Sequence, residues 1–169
     1  LPQVDVAVGA QCTALLLRIL QPLNVQDESL LRQFADRHRI VFYLQPKGPD
    51  SVHRLYPPDA PRLSYTLPEF SLELDFRPTD FTQVNHAVNR ILVRRALGLL
   101  DPRPGERIAD MFCGLGNFTL PIARSGASVV GVEGSPSLVK RGRESAQANG
   151  LGERVEFGVG NLFECTEAS

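Results

Sequence analysis

Cysteine is scarce. Cys12, Cys113 and Cys165 are the only three in 169 residues, far apart and with no C-x-x-C pair. That argues against a disulfide framework or a zinc ribbon and makes a reducing cytoplasm the expected compartment. Long apolar runs are also missing: none approaches the roughly 18 residues of a membrane-spanning helix. The opening Leu1-Pro2-Gln3 has no basic stretch ahead of an apolar one, so no signal peptide is expected either. Methionine occurs once, at Met111, and the expectation is therefore a piece of something longer. Neither sign of charge is in excess: 18 Lys and Arg stand against 19 Asp and Glu, a net charge of −1. This excludes a polybasic chain that holds nucleic acid by bulk charge, and leaves a local patch open. Lysine is nearly absent, with only Lys47 and Lys140 beside the arginines. Arginine forks phosphates and stacks on bases better than lysine, although a genome-wide preference for arginine accounts for the same count. His38, His53 and His86 show no ligand spacing, and no metal is expected.

What remains is an ordinary globular composition, 43% hydrophobic and 22% charged. Proline and glycine divide it. Residues 1–84 hold 9 of the 13 Pro and 2 of the 14 Gly, whereas residues 85–169 hold 4 Pro and 12 Gly. The expectation is two architectures that meet near residue 80. In the first, Val4 to Val8 alternates, Thr13 to Leu20 is apolar, a helix opens at Asp27, and Ile40 to Leu44 is a buried strand. A proline-rich stretch from Pro46 to Pro61 and an alternating run from Leu63 to Phe76 follow. Together these predict a small antiparallel sheet with one helix. In the second, Val84, Val88, Ile91, Leu92, Ala96 and Leu99 form a helical stripe. Strand, helix, strand, helix, strand follow over 107–112, 117–124, 127–133, 137–149 and 155–159, which predicts βαβ units and a parallel sheet ending in an unpaired edge at 155–159.

The chemistry centres on Asp110-Met111-Phe112-Cys113-Gly114-Leu115-Gly116-Asn117-Phe118, a D-x-x-x-G-x-G turn between the first strand and its helix. Gly114 permits a tight turn, and Gly116 is expected to let a ligand approach the backbone. Glu133 closes the next strand, seventeen residues beyond Gly116, where a carboxylate can accept both hydroxyls of a ribose. A dinucleotide fingerprint wants a third glycine, and Thr119 stands there instead. An acidic residue four positions before the first glycine suits the cationic S-adenosylmethionine (SAM) better than a pyrophosphate. A nucleotide-dependent oxidoreductase is the more distant alternative.

These motifs, with Phe76-Arg-Pro-Thr-Asp-Phe-Thr-Gln83-Val-Asn85 ahead of them and Val132-Glu133-Gly134 after, resemble the bacterial RNA (uracil-5)-methyltransferases. The continuation Asn117-Phe-Thr-Leu-Pro-Ile-Ala123 is most like the members that modify 23S rRNA. The resemblance carries specific motifs from about residue 70 onward; residues 1–69 match only in pattern. It implies an α/β fold: the N-terminal half of a class I SAM-dependent methyltransferase (Rossmann-like) parallel sheet over 81–169, preceded by a partial central α+β domain over 1–80. It implies SAM as cofactor and 23S rRNA as partner, with no membrane. Gln83 would meet the methionine end of SAM, Phe112 would lie against the cofactor, Asn117 would cap the next helix and touch the ligand, Glu133 would hold the ribose, and Asn161 would sit near the adenine. Each of the five also has a plainer reading: Gln83 a turn residue, Phe112 core, Asn117 only a helix cap, Glu133 part of an ordinary βα turn, Asn161 a surface loop residue. In the family's chemistry a Cys thiolate adds to uracil C6, C5 attacks the SAM methyl, and a base removes the C5 proton. The catalytic Cys and the Glu base are expected downstream, so no catalytic residue is assigned in this chain. Ligands for an iron–sulfur cluster are expected ahead of it. Cys113 is read as a small residue packed in the turn. A tRNA uracil methyltransferase, or a non-catalytic SAM- or RNA-binding module, fits the same residues.

Overall fold

The computed structural model describes residues 2–163; Cys165 lies outside them. The chain divides into two compact units, one of Leu1–Tyr65 with Phe76–Asp80, the other of Thr66–Asp75 with the residues from Phe81 onward.

In the first unit β1 (Gln3–Val8) and β2 (Thr13–Arg18) form the expected antiparallel hairpin. The chain continues through α1 (Val25–His38), β3 (Ile40–Gln45) and β4 (His53–Tyr56), giving a sheet of order β1-β2-β3-β4. The expectation of a wholly antiparallel sheet is corrected, because β3 runs parallel to β2, from Thr13↔Ile40 to Arg18↔Gln45. The 14-residue α1 is the reason. A helix of that length carries the chain back along the sheet, so the next strand enters in the same direction as the last. α1 also starts earlier than Asp27. Asn24 is its N-cap, accepting from the Asp27 N–H at 2.8 Å, while the Asp27 carboxylate accepts from the Asn24 N–H. This capping box is worth about 1 kcal/mol. Leu31 and Ala35 of α1 close over Leu17, Phe42 and Leu44 of the sheet.

The alternating stretch from Leu63 to Phe76 is two strands, β5 (Ser64–Leu67) and β6 (Leu72–Asp75), paired as a two-stranded sheet. Pro68 has no N–H to give a ladder, and Pro68–Phe70 makes a 3₁₀ turn instead.

The second unit opens with α2 (His86–Leu100), capped by the Asn85 side chain, which accepts from the Val88 N–H. β7 (Arg107–Met111), α3 (Thr119–Arg124), β8 (Ser128–Glu133), α4 (Pro136–Ala148) and β9 (Val155–Val159) then alternate, and the three strands are parallel in the order β7-β8-β9. α4 packs on β8 and β9, and α3 on β8. The segment 66–75 is fastened to this unit through Asn149 and Arg124. The Asn149 amide accepts from Glu73 N–H at 3.1 Å and donates to Glu73 C=O at 2.8 Å, a side chain completing what a strand neighbour would. Arg124 donates to the carbonyls of Phe70 and Ser71.

Three of the twelve glycines in the second half border one ring. Phe157 of β9 is 2% exposed, and a Cβ at Gly116, Gly131 or Gly142 would come within 3.1, 3.1 or 2.7 Å of it. The stripe expected on α2 turns out to be its open face. Val88, Ile91, Leu92 and Leu99 are exposed, and the buried residues are Asn89 and Val93. Helical periodicity shows that a face is apolar and says nothing of what covers it. The open sheet edge likewise is not confined to β9: among the described residues β7 also pairs on one side only.

Candidate functional site

Parallel strands put their carboxyl ends on one edge, where open α/β sheets bind ligands. The turn after β7, Glu133 at the end of β8, and Asn161 just past β9 all lie there. The turn is held in a shape few residues tolerate. Phe112, Gly114 and Gly116 have φ of 61°, 56° and 94°, in the left-handed region. A phenylalanine there costs of order 1–3 kcal/mol and needs its surroundings to hold it.

Glu133 fastens the turn. One carboxylate oxygen accepts from the Gly114 N–H at 3.1 Å and the other from the Ser135 N–H at 3.0 Å. A carboxylate oxygen has two lone pairs, so the group is oriented by the backbone while keeping the capacity to accept ligand hydroxyls. The two glycines divide their tasks differently from the expectation. No atom lies within 4 Å of where a Gly114 Cβ would stand, so Gly114 is the open one. A Cβ on Gly116 would meet Phe157 and Leu120 at 3.1 and 3.2 Å, so Gly116 serves the packing beneath the turn rather than ligand approach.

Asp110 is a brace as well. Its half-buried carboxylate accepts from the Thr119 hydroxyl at 2.6 Å, tying the end of β7 to the first residue of α3. Burial raises its pKa, and the hydrogen bonds from Thr119 oppose that rise. Cys113 is buried, with Sγ only 2.9 Å from where a Cβ on Gly131 would be. Burial, then the charges of Asp110 and Glu133, push its thiol up to about 12, so it stays protonated and is no nucleophile at neutral pH.

Asn117 does not cap α3. The helix starts at Thr119 after Phe118, with no side-chain cap, and the Asn117 amide is turned toward Asn89 of α2, donating and accepting at 2.9 Å each. Phe112 is exposed rather than core, its ring 5.4 Å from that of Phe163 and tilted by 57°. The exposed Asn161 accepts from the Phe163 N–H at 3.2 Å, so Phe163 connects these two. Gln83 is exposed on the irregular stretch before α2 and forms no hydrogen bond among the described residues. The structure thus joins Gly114 to Glu133, and Phe112 to Asn161 through Phe163. Sequence reasoning missed Asn89, Thr119 and Phe163. No local signal marked Asn89, because it lies off the apolar stripe of α2.

Among the described residues no group of three or more His, Cys, Asp or Glu is placed to hold a metal, and no helix is long and apolar enough to cross a membrane.

A parallel β-α-β-α-β unit with a glycine turn and a carboxylate at the carboxyl edge is the build of a nucleoside-cofactor domain, and the model of a "Methyltransferase domain" family matches residues 102–169. The chain is 77% identical over 167 residues to the 23S rRNA (uracil(1939)-C(5))-methyltransferase RlmD of Dechloromonas aromatica, covering 99% of this chain and 39% of that protein. It is 60% identical to the RlmD of Nitrosospira multiformis, covering 99% of this chain and 38% of the relative. The chain spans under two-fifths of the length of these relatives. Among solved structures, the Pyrococcus abyssi tRNA (uracil-54, C5)-methyltransferase in complex with S-adenosyl-L-homocysteine superposes with a TM-score of 0.68 over 94% of this chain and 38% of that one. At 20% identity that likeness bears on the fold alone.

Proposed function

We propose that the protein methylates C5 of a uracil in 23S rRNA with SAM as methyl donor, and that this chain supplies the first half of the cofactor site. The observation that carries it is the Glu133 carboxylate held by the Gly114 N–H at the carboxyl edge of three parallel strands, in a chain 77% identical to an RlmD. The residues fit SAM: the turn is open at Gly114, a carboxylate with acceptor capacity stands beside it, and the same turn carries an exposed aromatic ring, Phe112. When bound, SAM supplies an electrophilic methyl group on a sulfonium.

Glu133 accepts the ribose hydroxyls. Phe112, backed by Phe163, gives the cofactor an aromatic face, and Asn161 offers a polar edge near the adenine. Gly114 and Asn117 line the turn. Gln83 takes the methionine end, approaching from the segment ahead of α2. The protonated Cys113 leaves the cofactor's methyl untouched, and the catalytic Cys and base belong to residues outside this chain, as do any iron–sulfur ligands. Residues 1–65 with 76–80 act as a central α+β domain, and 66–75 with the residues from 81 onward as the first half of the methyltransferase domain. An rRNA substrate places the protein in the cytoplasm.

The test gives the full-length protein methyl-labelled SAM with 23S rRNA and tRNA transcripts in parallel and analyses the nucleosides. 5-Methyluridine in the 23S rRNA alone is expected. Label in tRNA, or in neither RNA, overturns the proposal.

A further inference from the structure

We propose that Asn89 is a positioning residue for the cofactor site, acting through Asn117 to fix the glycine turn; this deepens the site reading above and rests on it. Asn89 is 2% exposed, one of few polar side chains buried in the chain. A buried amide is costly unless paired, and this one is paired in both directions, donating to the Asn117 Oδ1 and accepting from the Asn117 Nδ2 at 2.9 Å each. Two such bonds form a planar ring that fixes both the position and the plane of the Asn117 amide. An aliphatic residue at either position would strand the other amide.

The fastening matters because of where it acts. The turn from Phe112 to Gly116 contains three left-handed residues, so its shape is not imposed by helix or strand and must be held from outside. Its start is held by the Cys113 N–H on the Val132 carbonyl at 3.1 Å, and its middle by the Gly114 N–H on Glu133. Its exit, where the chain leaves Gly116 for α3, is held by Asn89 from α2, 28 residues away in sequence. Glu133 is itself a ligand group whose lone pairs are shared when the ribose arrives. Asn89 is buried, so its hold on the turn does not rest on a group that must also receive the ribose. The turn is therefore set in its receiving shape in advance, which lowers the ordering cost of binding.

The experiment measures S-adenosylhomocysteine affinity by calorimetry, and thermal unfolding beside it, in the full-length protein carrying Asn89→Ala, Asn117→Ala or both. Asn89→Ala is expected to weaken binding about tenfold, the scale of a lost buried hydrogen-bond pair. Because Asn89 acts through Asn117, the double variant is expected to bind no more weakly than Asn117→Ala alone. If Asn89→Ala does not fold, Asn89→Ser, which keeps a polar group there, is measured in its place, with a smaller loss expected. A folded Asn89 variant with lowered thermal stability and unchanged affinity overturns the proposal, as does a double variant whose losses simply add. A wild type that binds no S-adenosylhomocysteine overturns the site reading itself, and this inference with it.

Discussion

Cys113 shows how a residue's surroundings decide its chemistry. It sits in the turn that carries the site, beside two carboxylates, and a thiol there invites a catalytic reading. Burial and those same carboxylates instead raise its pKa to about 12. The folded state thus holds the proton more tightly than the unfolded chain. The stability this confers is complete below the ordinary thiol value of 9.0 and is lost as the pH rises from there towards 12. At pH 8, with only the thiolate reactive, iodoacetamide should modify native Cys113 on the order of a thousandfold more slowly than a free thiol. Peptide mass mapping after timed alkylation reads this directly, and rapid native labelling of Cys113 would contradict it. At this scale the sequence was most legible at Glu133, because a carboxylate ending a second parallel strand has few other uses. It was least legible at Asn117 and Asn89, since a pairing across 28 residues leaves no local trace and a polar residue beside a helix start reads as a cap.

At the scale of elements, parallel strands joined by helices follow from spacing and turn residues, and β7 to β9 stand where the pattern puts them. The departures have physical causes. β3 is parallel to β2 because α1 intervenes, and the run from Leu63 breaks at Pro68. The glycines of α4 and β8 carry a further lesson. Gly142 lies inside α4, where alanine is ordinarily favoured by about 1 kcal/mol. Here an alanine Cβ would stand 2.7 Å from the ring of Phe157, which Gly116 and Gly131 also border. Gly142→Ala should therefore destabilise the protein by about 1–3 kcal/mol, and in a Phe157→Leu background the same change should cost little or stabilise. Chemical denaturation of the four proteins of that cycle checks it; a stabilising Gly142→Ala in the wild-type background would show that the ring is not confined.

On the scale of the whole molecule, the chain reads as two units of different build, and the shift from proline to glycine anticipates the change of architecture. What composition could not show is the swap at the join, where 66–75 sits with the second unit and 76–80 with the first. Nor could it show that α2 leaves Val88, Ile91, Leu92 and Leu99 exposed, or that among the described residues β7 pairs on one side only. On the proposed reading, the glycine turn and Glu133 form the cofactor half of a methyltransferase site. Calorimetry on the full-length protein tests it most directly, with S-adenosylhomocysteine and NADH titrated into wild type and Glu133→Ala. S-Adenosylhomocysteine should bind and NADH should not, and Glu133→Ala should weaken binding tenfold or more through the loss of charge-assisted hydrogen bonds. Equal affinity in Glu133→Ala, or a preference for NADH, would contradict the account.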